Sequence, residues 1–416
     1  MSVSNKKYVI LVGDGMGDYP HSSLGDRTPL MAANTPHMDF IANCGILGLV
    51  RTVPNGLPPG SDVANLSLLG YDPRLYHTGR GPIEAASLGI KAVPSDLIFR
   101  CNLVTLEKKG KSIYMKDYSA GHITSQEARE LIYELNKHLG KEGFSFYPGV
   151  SYRHILIWHK TETDLNTIPP HDVSGQEISA YLESLPPSLQ RLAELAEKYL
   201  ANHAINRERI KKGLSPANAI WPWGQGRMLK MPFFKEKYGL KGAIISAVDL
   251  IKGIGVLSGL EVINVPGATG YFDTDYEAKA KYAIKALQTV DFVYVHVEAP
   301  DEASHLGNLN QKIKAIEEFD EKVVGNILRT IDKEDMKIMV TTDHYTPISK
   351  KTHSKEPVPF AIYDLPARAS QWQAGKKEKR QKRKMFCEIF ASKSGVFIDP
   401  GYKLMDFFFG DDYEQA

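Results

Sequence analysis

The sequence predicts an α/β fold in which helices cover both faces of a mostly parallel β-sheet, with a smaller α+β unit inserted into it. The chain has 416 residues, which is long enough for more than one domain. Short apolar runs rich in β-branched residues alternate with helical patterns, and this alternation is interrupted between residues 92 and 175. We therefore expect a core domain formed by residues 1–91 and 176–416, and an inserted domain formed by residues 92–175.

Six apolar runs predict strands of the larger sheet. Each is short and rich in β-branched residues, and helical patterns lie between several of them. This alternation is typical of a parallel sheet covered by helices. The runs are Tyr8–Val12, Ala243–Ser246, Val262–Val265, Phe292–Val297, Lys337–Thr341 and Pro359–Tyr363.

Two segments have the periodicity of amphipathic helices. In Ser188–Ile205, apolar residues recur at helical spacing, and Ser188 can cap the start of the helix. The apolar stripe consists of Leu189, Leu192, Ala196 and Leu200. The second segment, Asn310–Ile331, is longer and equally regular. Both helices would pack an apolar face onto the core.

The interrupting region has its own order of elements. Ile98–Leu106 and Ser112–Tyr118 are strand-like, Ser125–Leu139 is helical, and Phe144–Trp158 is again strand-like. The order β-β-α-β predicts a separate α+β unit.

The charge balance gives no general attraction for a polyanion. Lys and Arg total 51, Asp and Glu total 49, and the net charge is +2. We therefore expect neither nucleic acid nor a membrane as a partner. One basic run, residues 376–384, has seven Lys or Arg, and it is interpreted as a solvated loop. The sequence leaves the oligomeric state open, a homo-oligomer included.

The cysteines and apolar runs favour a cytoplasmic protein. Cys44, Cys101 and Cys387 are far apart and odd in number, so we expect three buried, reduced thiols. The first apolar run, Tyr8–Val12, is too short for a signal peptide, and no apolar stretch is long enough to span a membrane.

Acidic residues and histidines follow three of the predicted strands. Taken singly, each could be a turn, a helix cap or a satisfied polar group. Together they would converge, because the carboxyl ends of parallel strands meet at one edge of the sheet. Mixed oxygen and imidazole ligands suit Mn or Zn better than Ca, and so many ligands imply two metal ions. The residues are Asp14, Glu298, Asp301, His305, Asp343, His344 and His353.

A serine follows a chain-breaking sequence. Pro58, Pro59 and Gly60 precede Ser61 and Asp62, and one of these two residues opens a short apolar helix. One interpretation is that Ser61 caps the helix. The other is that a metal deprotonates Ser61, which then attacks phosphorus at the positive end of the helix.

Nucleotide-binding loops are not supported. Gly13, Gly15 and Gly17 follow the first strand, but their spacing is G-x-G-x-G, and Asp14 would place a carboxylate against a pyrophosphate. The chain also contains no G-x-x-x-x-G-K-[ST] phosphate loop.

A series of motifs along nearly the whole chain resembles one known family. It resembles the archaeal-type, 2,3-bisphosphoglycerate-independent phosphoglycerate mutases of the alkaline phosphatase superfamily. The resemblance implies an alkaline-phosphatase-like core and the interconversion of 3-phosphoglycerate and 2-phosphoglycerate, a small phosphorylated acid, in glycolysis and gluconeogenesis. The motifs include VGDGMGDYP, TVPNGLPPGSDVANLSLLGYDP, TGRGPIEAASLGI, VHVEAPDEASH and TTDHYTPIS.

The resemblance also implies roles for individual residues. Ser61 would be transiently phosphorylated, and two divalent ions, Mn or alternatively Zn, Co or Mg, would bind beside it. The first ion would be held by Asp14, Ser61, Asp343 and His344, and the second by Asp301, His305 and His353. The substrate would be bound by Arg100, His122, Arg153 and Lys252.

An alternative reaction remains open on the same residues. The motifs PGATGYFDTDYEAK and HDVSGQEISAYL are also similar to a branch proposed to act as homoserine kinase. A homoserine kinase-like phosphotransferase or a phosphomonoesterase would use the same serine and metal ligands, so these residues do not distinguish the alternatives.

Overall fold

The computed structural model describes residues 6–410 except 142, 229, 331–334 and 366–383. The chain forms two compact units. The first comprises Met1–His77 and Met231–Ala416, and the second comprises Thr78–Lys230. Residues 376–383 of the basic run lie outside the described residues.

The described residues contain thirteen strands. They are β1 (Lys7–Gly13), β2 (Ile46–Val50), β3 (Leu97–Lys109), β4 (Ser112–Asp117), β5 (Phe144–Tyr147), β6 (Arg153–Trp158), β7 (Ala219–Gly226), β8 (Gly242–Ile245), β9 (Glu261–Val262), β10 (Phe292–Val297), β11 (Met336–Thr341), β12 (Val358–Leu365) and β13 (Phe397–Ile398).

Seventeen α-helices accompany these strands in the described residues. They are α1 (Pro29–Ala32), α2 (Pro36–Cys44), α3 (Ser61–Leu68), α4 (Pro73–Tyr76), α5 (Arg80–Ser87), α6 (Ser125–Leu139), α7 (Ser179–Ser184), α8 (Pro187–Ala201), α9 (Ala204–Lys211), α10 (Phe234–Tyr238), α11 (Asp249–Leu257), α12 (Tyr276–Ala286), α13 (Ala299–His305), α14 (Leu309–Glu318), α15 (Gly325–Thr330), α16 (Glu388–Ser392) and α17 (Leu404–Phe409).

The first unit has an eight-stranded, mostly parallel sheet, in the order β13-β2-β12-β11-β1-β10-β8-β9. Among the described strands of this sheet, only β12 runs antiparallel to its neighbours. Successive residues of β1, from Val9 to Val12, are all fully buried, so both faces of the sheet are covered. The predicted α/β fold class is confirmed.

The predicted strands of this sheet agree with β1, β8, β10, β11 and β12. The predicted run Val262–Val265 is wrong beyond Val262, where the two-residue β9 ends. Strands β2 and β13 were not predicted, because Gly48 interrupts the apolar run of β2 and β13 is only two residues long.

The second unit has a five-stranded antiparallel sheet built on the long strand β3. Strand β3 pairs with β6 through Leu97–Asn102, with β7 through Ile98–Val104, and with β4 through Thr105–Lys109. The single predicted strand Phe144–Trp158 is wrong. It is a hairpin of β5 and β6, because Pro148 and Gly149 end the first strand and Ser151 turns the chain with φ +52°.

The second unit, Thr78–Lys230, includes more of the chain than the predicted insert of residues 92–175. Strand β7 pairs with β3 from Ile98 to Val104, so the chain after residue 175 belongs to the same sheet. Helix α8 also packs into the core beneath it, together with α6. The assignment of substrate binding to this region stays a prediction.

Two predicted helices differ in detail. The stripe of Ser188–Ile205 is buried in α8 as predicted, but Ser188 is not the cap. Pro186 occupies that position, and the helix stops at Ala201 before α9 begins. The predicted helix Asn310–Ile331 is α14 and α15 joined by a π-helical turn, Phe319–Val324, and Ile331 lies outside the described residues.

Two remaining expectations concern the burial of the cysteines and the lack of a membrane-spanning segment. Cys101 and Cys387 are buried, but the expectation of burial is wrong for Cys44, which is exposed in the last turn of α2. None of the helices in the described ranges is long and apolar enough to cross a membrane.

Helix α6 offers a test of the second unit's core. Leu131 is fully buried, whereas Tyr133 on the same helix is 57% exposed. We expect Leu131→Ala to lower the free energy of unfolding by about 2–5 kcal/mol, because it leaves a cavity. The matched change Tyr133→Ala should cost less than about 1 kcal/mol. Urea unfolding measures both, and equal losses would contradict this packing.

Candidate metal centre

Three adjacent parallel strands bring the predicted ligands together. Strand β1 lies between β10 and β11, and Val12 is in register with His296 on one side and Thr341 on the other. The residues that follow each strand therefore lie at one edge of the sheet. This places Asp14 beside Asp343, with α13 beginning directly after β10.

The first cluster consists of Asp14, Asp343, His344 and Ser61. His344 Nε2 lies 3.4 Å from Asp14 Oδ1 and 3.4 Å from Asp343 Oδ2. Ser61 Oγ lies 3.1 Å from the same nitrogen. The two aspartates and His344 are fully buried, and Ser61 is nearly so.

The second cluster consists of Asp301, His305 and His353. His305 Nε2 lies 3.1 Å from Asp301 Oδ2 and 3.1 Å from His353 Nε2. His353 Nε2 lies 3.7 Å from Asp301 Oδ1. Asp301 and His305 are four residues apart on α13, so they share one face of the helix. Ligand atoms of Asp301, His344 and His353 also lie within 4.8 Å of one another, which makes this cluster continuous with the first.

The structure adds a third cluster, formed by Asp14, His296 and Glu298. His296 Nε2 lies 3.1 Å from Asp14 Oδ2, and His296 Nδ1 lies 3.6 Å from Glu298 Oε2. Sequence reasoning placed Glu298 after a strand and did not consider His296. The available signal was that His296 is the one imidazole in β10, a strand whose other residues are aliphatic or aromatic.

Burial and like charge dominate the electrostatics. Burial, then the negative charges of Asp343, Glu298 and Asp301, raise the pKa of Asp14 well above its usual value. Burial, then the charge of Asp301, raises the pKa of Glu298 to about 8. These carboxyls resist ionisation until a positive charge compensates them.

The pKa values of His344 and His305 shift in opposite directions. Burial lowers the pKa of His344 to about 4, so its imidazole is neutral. Burial also disfavours protonation of His305, but its hydrogen bond to Asp301 outweighs this and raises its pKa to about 9. The same hydrogen bond, with that of His353, holds the pKa of Asp301 well below its usual value despite burial.

Hydrogen bonds to the other ring nitrogens orient the imidazoles. The Thr346 hydroxyl donates to Asp301 Oδ1 and can therefore accept from His344 Nδ1, 3.1 Å away. His305 Nδ1 lies 3.0 Å from the carbonyl oxygen of Lys351, which can only accept. Both histidines thus direct Nε2 into the cluster, the arrangement typical of metal-binding histidines.

Close packing at the end of β1 requires a glycine. Gly15 has φ +61°, and its backbone N–H donates to Asp343 Oδ1 at 3.1 Å. A Cβ at this position would lie 2.4 Å from Asp301 Oδ1. Gly15 therefore serves the close packing of the predicted metal cluster rather than a dinucleotide.

Ser61 does not cap the helix that it opens. The cap position of α3 is Gly60, without a side-chain hydrogen bond, and Ser61 is the first helical residue. One turn later, Asn65 Nδ2 donates to the Ser61 carbonyl oxygen at 2.8 Å and to Asp343 Oδ2 at 2.9 Å. Asn65 therefore ties α3 to the first cluster. Sequence reasoning missed this residue, although its spacing from Ser61 is that of one helical turn.

Comparison with known proteins identifies the family. A protein of Geobacter sulfurreducens, named as a probable 2,3-bisphosphoglycerate-independent phosphoglycerate mutase, is 49% identical over 406 residues, which cover 96% of this chain and 98% of that protein. The chain belongs to the 2,3-bisphosphoglycerate-independent phosphoglycerate mutase family. The model of this family matches residues 42–206.

Two further comparisons agree with this family of mutases. A 2,3-bisphosphoglycerate-independent phosphoglycerate mutase of Methanosarcina acetivorans is 53% identical over 362 residues, covering 86% of this chain and 90% of that protein. The solved structure of a cofactor-independent phosphoglycerate mutase from Thermoplasma acidophilum has a TM-score of 0.62 at 28% identity, and the similarity covers 97% of this chain and 98% of that chain. The resemblance noted in the sequence is confirmed.

The residues predicted to bind substrate in this mutase-family chain are divided between the two units. Lys252 lies on α11 of the first unit. Arg100, His122 and Arg153 lie in the second unit. The nearly buried Arg100 guanidinium pairs with Glu84 at 3.1 Å.

Several positive charges lie near Arg100. Burial, then the positive charges of Arg153 and Arg80, lower its pKa, although Glu84 opposes the shift. Its guanidinium also lies 4.8 Å from the ring centre of Trp223. Arg80 lies in the motif TGRGPIEAASLGI, but the sequence predicted a role for neither Arg80 nor Trp223.

A fully buried ion pair supports the ligand-bearing loops of the first unit. Lys312 Nζ donates to Asp18 Oδ2 at 2.9 Å, and also to the carbonyl oxygens of Gly17 at 3.1 Å and Thr346 at 3.0 Å. The backbone N–H of Ile348 donates to the same Asp18 oxygen. The Lys312 side chain thus connects the loop after β1 with the loop after β11.

Replacement of Lys312 tests this support. We expect Lys312→Met to lower the free energy of unfolding by about 3–5 kcal/mol, because it leaves the buried Asp18 carboxylate without its ammonium partner. The double variant with Asp18→Asn should regain part of the loss. The control Lys314→Met, at an exposed position of the same helix, should stay within about 0.5 kcal/mol of wild type. In urea unfolding, a Lys312→Met loss no larger than that of the control would contradict the role.

Proposed function

We propose that this chain interconverts 3-phosphoglycerate and 2-phosphoglycerate through a phosphoserine on Ser61, at a site that holds two divalent cations. Membership in the mutase family supports the reaction. The observation that carries the mechanism is the position of Ser61 Oγ, 3.1 Å from His344 Nε2 in a buried cluster of carboxylates and imidazoles. Ser61 has no capping hydrogen bond, which leaves its hydroxyl available for chemistry.

The donor set fits divalent cations. Both carboxylate oxygens of Asp14 are buried without a hydrogen-bond partner, a costly arrangement unless a cation compensates them. The first cation would be held by Asp14, Ser61, Asp343 and His344, and the second by Asp301, His305 and His353. Mixed oxygen and imidazole donors favour Mn, Zn or Co over Ca. When bound, the cations would stabilise charge on phosphoryl oxygens and favour the serine alkoxide.

Ser61 would carry the phosphoryl group between two positions of the substrate. Its Oγ forms a bond to phosphorus while the bond from phosphorus to the substrate oxygen breaks, which leaves glycerate and phosphoserine. In the second step, the other hydroxyl of glycerate attacks phosphorus and Ser61 leaves. The proton that Ser61 loses passes to the departing oxygen of glycerate, and in the second step the proton of the attacking hydroxyl passes to Ser61, so the net reaction is an isomerisation.

Two features of this chain would support that transfer. Ser61 begins α3, so an attached phosphoryl group would lie near the positive end of the helix. Asn65 holds the Ser61 carbonyl and Asp343 together, which fixes the serine against the first cluster. Both interactions orient groups before the reaction starts.

The substrate-binding role belongs to the basic residues. We assign Arg100, His122 and Arg153 of the second unit, and Lys252 of the first, to the anionic groups of phosphoglycerate. Arginines suit carboxylate and phosphate because they can donate two parallel hydrogen bonds. The guanidinium groups of Arg80 and Arg100 lie 5.9 Å and 4.8 Å from the ring centre of Trp223. Burial, with the positive charges of Arg153 and Arg80, lowers the pKa of Arg100, so an anion would stabilise this group of cations.

Ser61→Ala tests the covalent step. We expect a folded protein with no mutase turnover and no phosphoprotein after acid quenching, because the phosphoryl group has no carrier. Ser67→Ala is the matched control, since Ser67 lies on the same helix but donates to the Thr52 carbonyl oxygen at 2.6 Å. The control should retain turnover and phosphoprotein. Turnover of Ser61→Ala near that of the control would contradict the proposal.

Substrate trials distinguish the mutase from the alternative reactions. With Mn²⁺ present, the wild type should convert 3-phosphoglycerate to 2-phosphoglycerate, release little free phosphate and leave homoserine unphosphorylated beside a phosphoryl donor. Phosphorylation of homoserine without mutase turnover would indicate the kinase-like alternative. Rapid release of phosphate would indicate the phosphomonoesterase.

Arg153→Ala tests the anion-binding assignment. We expect the ratio kcat/KM to fall more than about tenfold, because a charge-assisted contact to the substrate is lost. The content of bound Mn should not change, because Arg153 belongs to no ligand cluster. Arg129→Ala, at an exposed position of α6 in the same unit, is the control. Loss of Mn or kinetics equal to the control would refute the assignment.

A further inference from the structure

Two residues of the second unit hold the Arg100 guanidinium in one orientation. Arg100 on β3 stands opposite Trp223 on β7, and its guanidinium lies 4.8 Å from the centre of that ring, a distance typical of a cation–π contact. On α5, Glu84 Oε1 lies 3.1 Å from Arg100 Nη1. One face of the guanidinium and one of its terminal nitrogens are therefore occupied by residues of this chain.

Another edge of the same guanidinium has an unused donor. Arg100 is only 9% exposed, and its Nε–H reaches no hydrogen-bond acceptor among the residues that the structure describes. A buried donor without an acceptor is rare and costly. Nε shares an edge of the planar group with Nη2, and a carboxylate can accept two parallel hydrogen bonds from such an edge. The unpaired Nε–H points to an absent anion.

The ring beneath Arg100 is itself fixed. Trp223 is buried, and its Nε1–H donates to Asn102 Oδ1 at 2.9 Å. Asn102 Nδ2 in turn donates to the carbonyl oxygen of Tyr118 at 3.1 Å. Because the indole is held at its polar end, it offers the guanidinium a surface that does not rotate away.

The proposed reaction needs a firm contact to the substrate at one particular stage. After transfer of the phosphoryl group to Ser61, the remaining glycerate has a single anionic group, its carboxylate. If glycerate leaves at this stage, water attacks the phosphorus of phosphoserine and the bond from phosphorus to Ser61 Oγ breaks. Inorganic phosphate is released, and a proton from water returns to Ser61. The protein then hydrolyses its substrate instead of isomerising it.

We propose that Glu84 and Trp223 are positioning residues that present the Nε edge of Arg100 to the substrate carboxylate, and that this contact favours mutase turnover over hydrolysis. The Glu84 carboxylate compensates part of the charge of Arg100, so the pair suits a singly charged carboxylate better than a doubly charged phosphoryl group. The inference rests on the proposed function, from which it takes the phosphoserine on Ser61 and the role of Arg100.

Glu84→Gln tests the orientation of the guanidinium against its charge. Glutamine has nearly the same shape but removes the charge-assisted hydrogen bond to Arg100. We expect the KM for 3-phosphoglycerate to rise about tenfold, because the Nε edge is no longer held in place. The control Glu130→Gln, at an exposed position of α6 in the same unit, should match the wild type. If Glu84 acted through its charge alone, its neutralisation would strengthen anion binding, and a lowered KM would overturn the proposal.

The ratio of free phosphate to 2-phosphoglycerate is the second measurement. In the Mn²⁺-loaded protein supplied with 3-phosphoglycerate, Glu84→Gln should raise this ratio about tenfold, because glycerate escapes before the second transfer. Added D-glycerate should lower the ratio again, whereas glycerol, which has no carboxylate, should not. Partial unfolding would reduce the rate but change neither this ratio nor KM. A ratio equal to that of Glu130→Gln would contradict the proposal.

Trp223→Phe keeps the test decisive if Glu84→Gln does not fold. Phenylalanine is a weaker cation–π partner and loses the bond to Asn102, so KM and the phosphate ratio should each rise about threefold. Trp221→Phe is the matched control. Trp221 is a buried residue of the same strand and donates its own indole N–H to the Ile168 carbonyl oxygen at 2.8 Å. Equal values in the two variants would overturn the role of Trp223.

The outcomes also separate this inference from the proposed function. Wild-type mutase turnover, with KM and the phosphate ratio unchanged in Glu84→Gln and Trp223→Phe, would overturn the inference and leave the phosphoserine mechanism intact. A wild type that forms neither 2-phosphoglycerate nor phosphoserine would overturn the proposed function, and the inference with it.

Discussion

The burial of several carboxyl groups at one edge of a parallel sheet is the constraint on which the rest of the site depends. Asp14, Asp301 and Asp343 follow three adjacent strands and are almost completely buried together. Like charges in a poorly solvated place repel one another, which is why the pKa of Asp14 is raised so strongly. Cations at this edge would convert that repulsion into attraction.

The surrounding structure holds these predicted ligands in place. Gly15 permits a close approach that a Cβ would prevent, and Asn65 joins the helix of Ser61 to Asp343. Thr346 connects His344 with Asp301. Behind these residues, the buried Lys312 ties together the two loops that carry them. Such supporting contacts are the usual means by which a metal site keeps its geometry.

The sequence predicted the parts of this site that obey simple rules. Asp14 and Asp343 were found because each follows a strongly apolar strand, and Ser61 because a chain-breaking Pro-Pro-Gly precedes its helix. His296 was missed because it lies within a strand, where a side chain is expected to belong to the core. Asn65 and Lys312 were missed because their partners are far away in sequence, and only the order of strands in the folded sheet brings them together. The predicted insert of residues 92–175 is shorter than the second unit for the same reason, since β7 pairs with β3 from a distant part of the chain.

Anomalous diffraction from crystals of the Mn²⁺-loaded protein tests the central claim most directly. The account predicts peaks at the manganese absorption edge within bonding distance of Asp14, Asp343 and His344, and of Asp301, His305 and His353. Peaks confined to other parts of the molecule, with the Asp14 carboxylate bonded to no ion, would contradict the claim that cations compensate the buried carboxyls.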